Sequence, residues 1–122
     1  TCDILYAASS RGPTTYTTFL ATRDSIRRNR MAFGAMARAT RRTLSWIAEH
    51  NVEELMKAVA PFYPDIPRNT LTSSLRRYRD AGLWAGGPHV SREGFGRLAE
   101  SLKSGGFISC MHRYGDCVDQ TL

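Results

Sequence analysis

No stretch of this sequence is apolar for long enough to cross a bilayer, which takes about 20 such residues in a row. Cysteine is scarce. Cys2, Cys110 and Cys117 are an odd number, so they make no disulfide framework. Cys110 and Cys117 could pair if CMHRYGDC turns back on itself; free thiols are the equal alternative. Lysine is nearly missing, with 2 Lys against 15 Arg. There is no Gly-rich phosphate loop and no G-x-S-x-G setting for Ser9, Ser10 or Ser109. His89, Cys110, His112 and Cys117 are the soft ligands toward the end, but C-x-H-x4-C is not a standard zinc spacing. Asp116 and Asp119 lie three apart on a final helical turn, which suits a solvated terminus better than an acid/base pair. Nothing here supports an enzyme, a metal or a cofactor. The opening TCDILYAASS lacks the basic-then-apolar pattern of a secretory signal, and the chain starts at Thr1 rather than Met. The expectation is a processed product or a piece of a longer protein.

What is present suits one small folded domain. The chain has 122 residues, 42% of them hydrophobic, enough to bury a core. The net charge is +6. Such a balance allows nucleic-acid or anionic-membrane binding without demanding either. The arginine excess reflects either a GC-rich genome or a use of guanidinium for bidentate phosphate contacts.

Patterning divides the chain into a short β-like start and a helical remainder. DILYAASS (3–10) and TTYTTFLAT (14–22) read as strands around an SRGP turn. From about residue 24 the period is helical. Asn29 is the expected N-cap of a helix running to His50, with Phe33, Met36, Thr40, Leu44 and Ile47 on its buried face and Arg38, Arg41 and Arg42 away from it. Asn51 caps the next helix, with Glu53 and Glu54 in its first turn and Leu55, Val59 and Phe62 buried. Pro61, Pro64 and Pro67 form a rigid connector. Asn69 or Thr70 opens a helix with a Leu71, Leu75, Tyr78 stripe, stopped by Gly82. Ser91 opens another, in which Phe95, Leu98 and Leu102 pack, ended by Gly105 and Gly106. A short extended piece and one helical turn follow. A sheet of two strands is marginal alone, so the layout expects sheet partners from elsewhere.

Two general readings compete. The segment 51–88 has the outline of a helix-turn-helix with a wing, with Ser73, Arg76, Arg77 and Arg79 offered to nucleic acid. Its three-proline linker is longer than the usual turn. The basic, amphipathic segment 23–47, with Trp46 near its end, has the outline of an interfacial membrane helix; a core-facing helix of a basic protein has the same pattern.

The order of segments carries a more specific resemblance. TTFLATRDSI, RNRMAFGAMARA, Trp46 near that helix's end, NVEEL, FYPDIP, LTSSLRRYRDAGLW, VSREGFGRLAESLKSGGFI and YGDCVDQTL follow one another with regular spacing. In that order they resemble the later part of ABC-transporter solute-binding proteins of the nitrate/sulfonate/taurine and thiamine-pyrimidine-precursor type. The likeness covers nearly the whole chain. Arg30 replaces the family's proline after Asn29, and arginine is more abundant than usual.

The resemblance implies an α/β parent fold, two-lobed and of the type II periplasmic-binding kind, of which residues 1–122 are the C-terminal segment. Residues 1–22 would supply one or two strands, including the inter-lobe crossover, with a hinge at Tyr16–Thr22. Residues 23–122 would supply the helical part of one lobe. The parent would be extracytoplasmic or periplasmic, its signal peptide lying in the missing N-terminal part. It would capture a small solute, close around it and deliver it to a membrane permease. Sulfonate, nitrate, taurine or pyrimidine-like solutes all fit. Ser10, Gly12 and Tyr16 would lie near the lobe junction as ligand contacts, with Trp84 as a further candidate. No nucleic-acid partner is implied. The isolated piece would expose apolar faces and is expected to self-associate.

Overall fold

The computed structural model describes residues 3, 5, 6, 8–15, 17–84, 86–119 and 121. They form a 3-10 turn at Ala8–Arg11 and six α-helices: α1 Arg23–Arg28, α2 Arg30–Glu49, α3 Val52–Val59, α4 Arg68–Asp80, α5 Arg92–Ser104 and α6 Tyr114–Cys117. The fold is mostly helical, and the described residues contain no strand. The chain divides into two compact units, Met31–Pro88 on the one hand and Thr1–Arg30 with His89–Leu122 on the other.

The Met31–Pro88 unit is built on α3 and α4. Asn51 accepts from the Glu54 N–H at 3.0 Å while the Glu54 carboxylate accepts from the Asn51 N–H at 2.9 Å. This reciprocal capping satisfies two donors that a helix start leaves orphaned. It fixes α3 so that Val52, Leu55 and Met56 are buried, Leu55 to 2% exposure. Leu71 and Leu75 of α4 complete that core, flanked by Trp46, Ile47, Val59, Ala60 and Trp84. Phe62, expected inside, is 79% exposed. The chain tightens to a 3-10 turn over Ala60–Phe62, and three residues per turn instead of 3.6 rotate Phe62 off the Leu55–Val59 stripe. The first helical residue of α4 is Arg68, with Pro67 as its flanking cap, rather than Asn69 or Thr70. Proline suits that position because its missing N–H would have no partner there anyway. Tyr78 stays 46% exposed, its ring held edge-on to Trp84 with centroids 6.2 Å apart. Gly82 closes α4 at φ +61. Its N–H donates to Arg79 O, and the Leu83 N–H reaches back to Tyr78 O. This pair of bonds needs a left-handed residue, which glycine supplies at no steric cost.

The helix expected from Asn29 to His50 forms without a break as α2, but a separate short helix, α1, precedes it. Thr22 caps α1 by accepting from the Ser25 N–H at 3.1 Å. Asn29 is the C-cap of α1, with both its main-chain and side-chain N–H groups donating to Ser25 O at 3.0 Å. A short amide side chain competes with the helix for its own backbone groups, which is why Asn29 closes α1 instead of capping α2. The expected face of α2 stands: Phe33, Met36, Thr40, Leu44 and Ile47 are half-buried, while Arg38, Arg41 and Arg42 are exposed.

In the other unit the two expected strands, 3–10 and 14–22, are not formed by the described residues. Residues 8–11 turn instead of running straight, and the Thr15 N–H donates to Gly94 O rather than to a neighbouring strand. An isolated strand has nowhere to send its ladder hydrogen bonds. Ser91 caps α5 by accepting from the Gly94 N–H at 2.9 Å. A Cβ at Gly94 would stand 2.8 Å from Thr15 Oγ1, so only glycine lets the 8–15 segment lie this close. Ala99 and Tyr114 are buried. Tyr114 meets Phe95 edge-on, donates its hydroxyl to Val90 O and carries the Arg92 guanidinium over its ring. Phe95, Leu98 and Leu102 are half-buried as expected. The Phe107 N–H donates to Leu102 O and the Gly106 N–H to Lys103 O, ending α5 in the way Gly82 ends α4. Cys110 and Cys117 are free, exposed thiols.

Candidate functional site

The candidate ligand residues do not all belong to one unit. Ser10 and Gly12 lie in the unit that contains α5; Trp84 lies in the Met31–Pro88 unit; Tyr16 falls outside the described residues.

Around Gly12 the local geometry is set by Arg97, which sequence reasoning had passed over. Arg97 donates to Arg11 O from one guanidinium nitrogen and to Glu93 from the other at 2.9 Å. Glu93 and Arg97 are one turn apart on α5, the spacing at which opposite charges meet on a helix. The i, i+4 pair was visible in the sequence, but its contact with residue 11 was not. Gly12 has φ +85, and a Cβ there would touch the Arg97 guanidinium at 3.0 Å. The Arg97 Nε is buried and finds no acceptor among the described residues. A buried donor without an acceptor is costly. Ser10 is exposed on the preceding 3-10 turn.

Trp84 lines an apolar groove of about 390 Å³, together with Thr43, Trp46 and Ile47 of α2, Leu55, Ala58 and Val59 of α3, and Leu75 of α4. The one hydroxyl on the wall, Thr43, donates to its own helix at Ala39 O, 3.0 Å away. The groove therefore offers no polar anchor, and Trp84 acts there as a packing residue at the exit of α4. A second hollow runs along Asn69, Thr70, Ser73, Ser74, Arg77 and Tyr78. All six come from α4, so no other element encloses it.

The arginines proposed for nucleic-acid contact have divided roles. Arg79 is half-buried and donates to Ile47 O at 2.8 Å and to His50 O, closing the end of α2. Arg76 is exposed and faces Glu53 at 4.0 Å. Arg77 and Ser73 are exposed. At the same helix end, His50 stacks on Trp46 with ring centroids 4.3 Å apart, and its Nδ1–H donates to Trp46 O at 2.8 Å. A carbonyl only accepts, which places the proton on Nδ1. Cys110 Sγ lies 3.9 Å from His112 Nε2, but the described residues gather no set of three metal-ligating side chains. No helix among them is long and apolar enough to cross a membrane.

No protein-family model matches the chain, and neither curated proteins nor solved structures yield a similar protein.

Proposed function

We propose that the chain is the C-terminal part of an extracytoplasmic solute-binding protein of an ABC import system, a binding component rather than a catalyst. It would help capture a small sulfonate, nitrate, taurine or pyrimidine-like molecule for a membrane permease. The observation that carries this reading is the pair Phe19 and Leu20, 74% and 91% exposed on consecutive positions. Neighbours in an extended chain point to opposite sides. A segment apolar on both sides suits a strand covered on both faces, as in a two-lobed α/β fold. The family-like segments also coincide with separate helices. NVEEL opens α3 at its capping box, the Leu-x3-Leu stripe lies on α4, and VSREGF opens α5 at Ser91. The Arg97 guanidinium, close against Gly12, supports the Ser10–Gly12 region as the ligand-facing end, for a solute bearing an acceptor oxygen.

The nucleic-acid alternative loses support because Arg79 is committed to the end of α2. The test is calorimetry of the protein, produced with whatever its gene encodes before Thr1, against taurine, nitrate, an alkanesulfonate and an aminopyrimidine. Saturable binding of one of them is expected. Binding of none, with affinity for duplex DNA that falls steeply as salt rises, would overturn the reading.

A further inference from the structure

We propose that the Cys110 sulfur and the His112 imidazole together hold one soft monovalent metal ion, copper(I), at the surface. Both side chains are exposed and stand two positions apart, between the end of α5 and the start of α6. Cys110 is a free thiol. Its Sγ lies 3.9 Å from His112 Nε2, at the long end for a direct hydrogen bond to sulfur. Thiolate and imidazole bonds to zinc measure about 2.3 and 2.0 Å, which separates the two donor atoms by about 3.5 Å at a tetrahedral angle and about 4.3 Å in a straight line. The observed gap lies between these limits, so one ion of similar bond lengths reaches both atoms with the loop as it stands.

The donor set decides which ion. Among the described residues no further histidine, cysteine or carboxylate joins the pair. Structural zinc takes four protein ligands and calcium takes six to eight oxygens, so two donors suit neither. Residues 105–115 contain no carboxylate. The nearest along the chain, Asp116, is held by Arg113 at 2.8 Å, which also balances that arginine's charge beside the site. Sulfur with imidazole is a soft pair that favours copper(I), a filled-shell ion satisfied by two or three ligands. Met111, between the two donors and 43% exposed, carries the next soft donor along the chain, its thioether. On binding, the Cys110 thiol gives its proton to water and its sulfur lone pair to the ion. The ring donates through Nε2 with its proton on Nδ1. Copper stays at +1 throughout, so no oxidant or reductant is consumed. Cys117 is an exposed thiol as well, but glycine and aspartate, not histidine, stand two positions to either side of it. The site does not depend on the solute-binding reading.

The experiment is an anaerobic titration of the reduced, metal-free chain against copper(I) held as its bicinchoninate complex, followed by the fading colour of that complex. Withdrawal of one copper(I) per chain is expected. Cys110→Ser should abolish it. His112→Ala leaves all three cysteines in place. It should still weaken binding by about 100-fold or more, since losing even a supporting partner of a metal ligand costs about 10–100-fold. Cys117→Ser and Cys2→Ser should bind like the parent. Cys110, His112 and Cys117 are exposed, so the helical circular dichroism of their variants should not change. X-ray absorption at the copper edge should show sulfur and imidazole nitrogen on the same ion. Undiminished binding by His112→Ala would mean that any accessible thiol captures copper, and would overturn the proposal. So would an equal loss in Cys117→Ser, zinc(II) displacing copper(I) at equal concentration, or a parent chain that withdraws no copper.

Discussion

Arg79, near the end of α4, donates to the main-chain oxygen of Ile47 at 2.8 Å and ties α4 to the last turn of α2. The same guanidinium nitrogen reaches His50 O. Carbonyls at a helix C-terminus have no partner in their own helix, and the negative end of the dipole favours a cation there. Arg79→Ala is therefore expected to lower stability by about 1–2 kcal/mol. The readout is a lower urea midpoint with an unchanged slope. Arg77→Ala, on the exposed side, should stay within about 0.5 kcal/mol. Equal losses in the two variants would contradict the assigned role of Arg79.

The core of the Met31–Pro88 unit predicts a sharp contrast between two apolar residues of the same segment. Leu55 is 2% exposed, so Leu55→Ala should cost about 2–5 kcal/mol. Phe62→Ala removes a larger side chain yet should cost under about 0.5 kcal/mol, because its ring is mostly in solvent. Thermal unfolding of both variants decides it; a Phe62 variant as damaged as the Leu55 one would show that the ring is buried in solution.

Helix ends give a third prediction. Asn51→Ala removes one half of the α3 capping box and should cost about 1 kcal/mol. Gly82→Ala meets nothing within 4 Å, so its cost is the left-handed backbone alone, about 1–2 kcal/mol. Gly82→Asn should recover part of that, since asparagine tolerates this conformation better than alanine. Three equal midpoints in urea would refute the account of these ends.

Much of this was legible in the sequence where a local rule decided the outcome. Asn51 with Glu54 announces α3, Gly82 announces the stop of α4, and the spacing of Leu71 and Leu75 picks out its buried face. Local rules failed where a neighbour competed. Asn29 had two helices to serve and closed the first. Phe62 depended on whether Pro61 continued an α-helix or tightened it. The strands at 3–10 and 14–22 depended on partners that no local pattern can supply. Arg79 and Arg97 look like surface charges in sequence, because their acceptors are main-chain oxygens distant along the chain. Of the candidate site residues, Trp84, expected as a ligand contact, packs against the core at the exit of α4; the setting of Gly12 against Arg97 had no sequence signal beyond the Glu93–Arg97 spacing.

Asp119 supplies a prediction in pH. Its carboxylate accepts from the Thr121 hydroxyl at 2.7 Å and from the Thr121 N–H at 2.8 Å. These bonds, with a smaller contribution from the Arg30 charge, hold its pKa below the ordinary aspartate value. Because the folded-state pKa is the lower one, the stabilisation is present above the unfolded-state pKa and is lost as pH falls through the folded one. The group is exposed, so the effect is local to the chain end. Carboxyl carbon NMR should show Asp119 titrating below an ordinary aspartate, and Thr121→Ala should return it upward. An unchanged titration in that variant would remove Thr121 as the cause.

The most direct measurement is the coding sequence upstream of Thr1, read together with the intact mass of the mature protein. The account predicts about 200 preceding residues, in line with the size of a two-lobed binder, and a secretory signal at their start. Those residues would contain the strands that cover Phe19 and Leu20. A start codon immediately before Thr1, with a mature mass equal to that of these 122 residues, would contradict it.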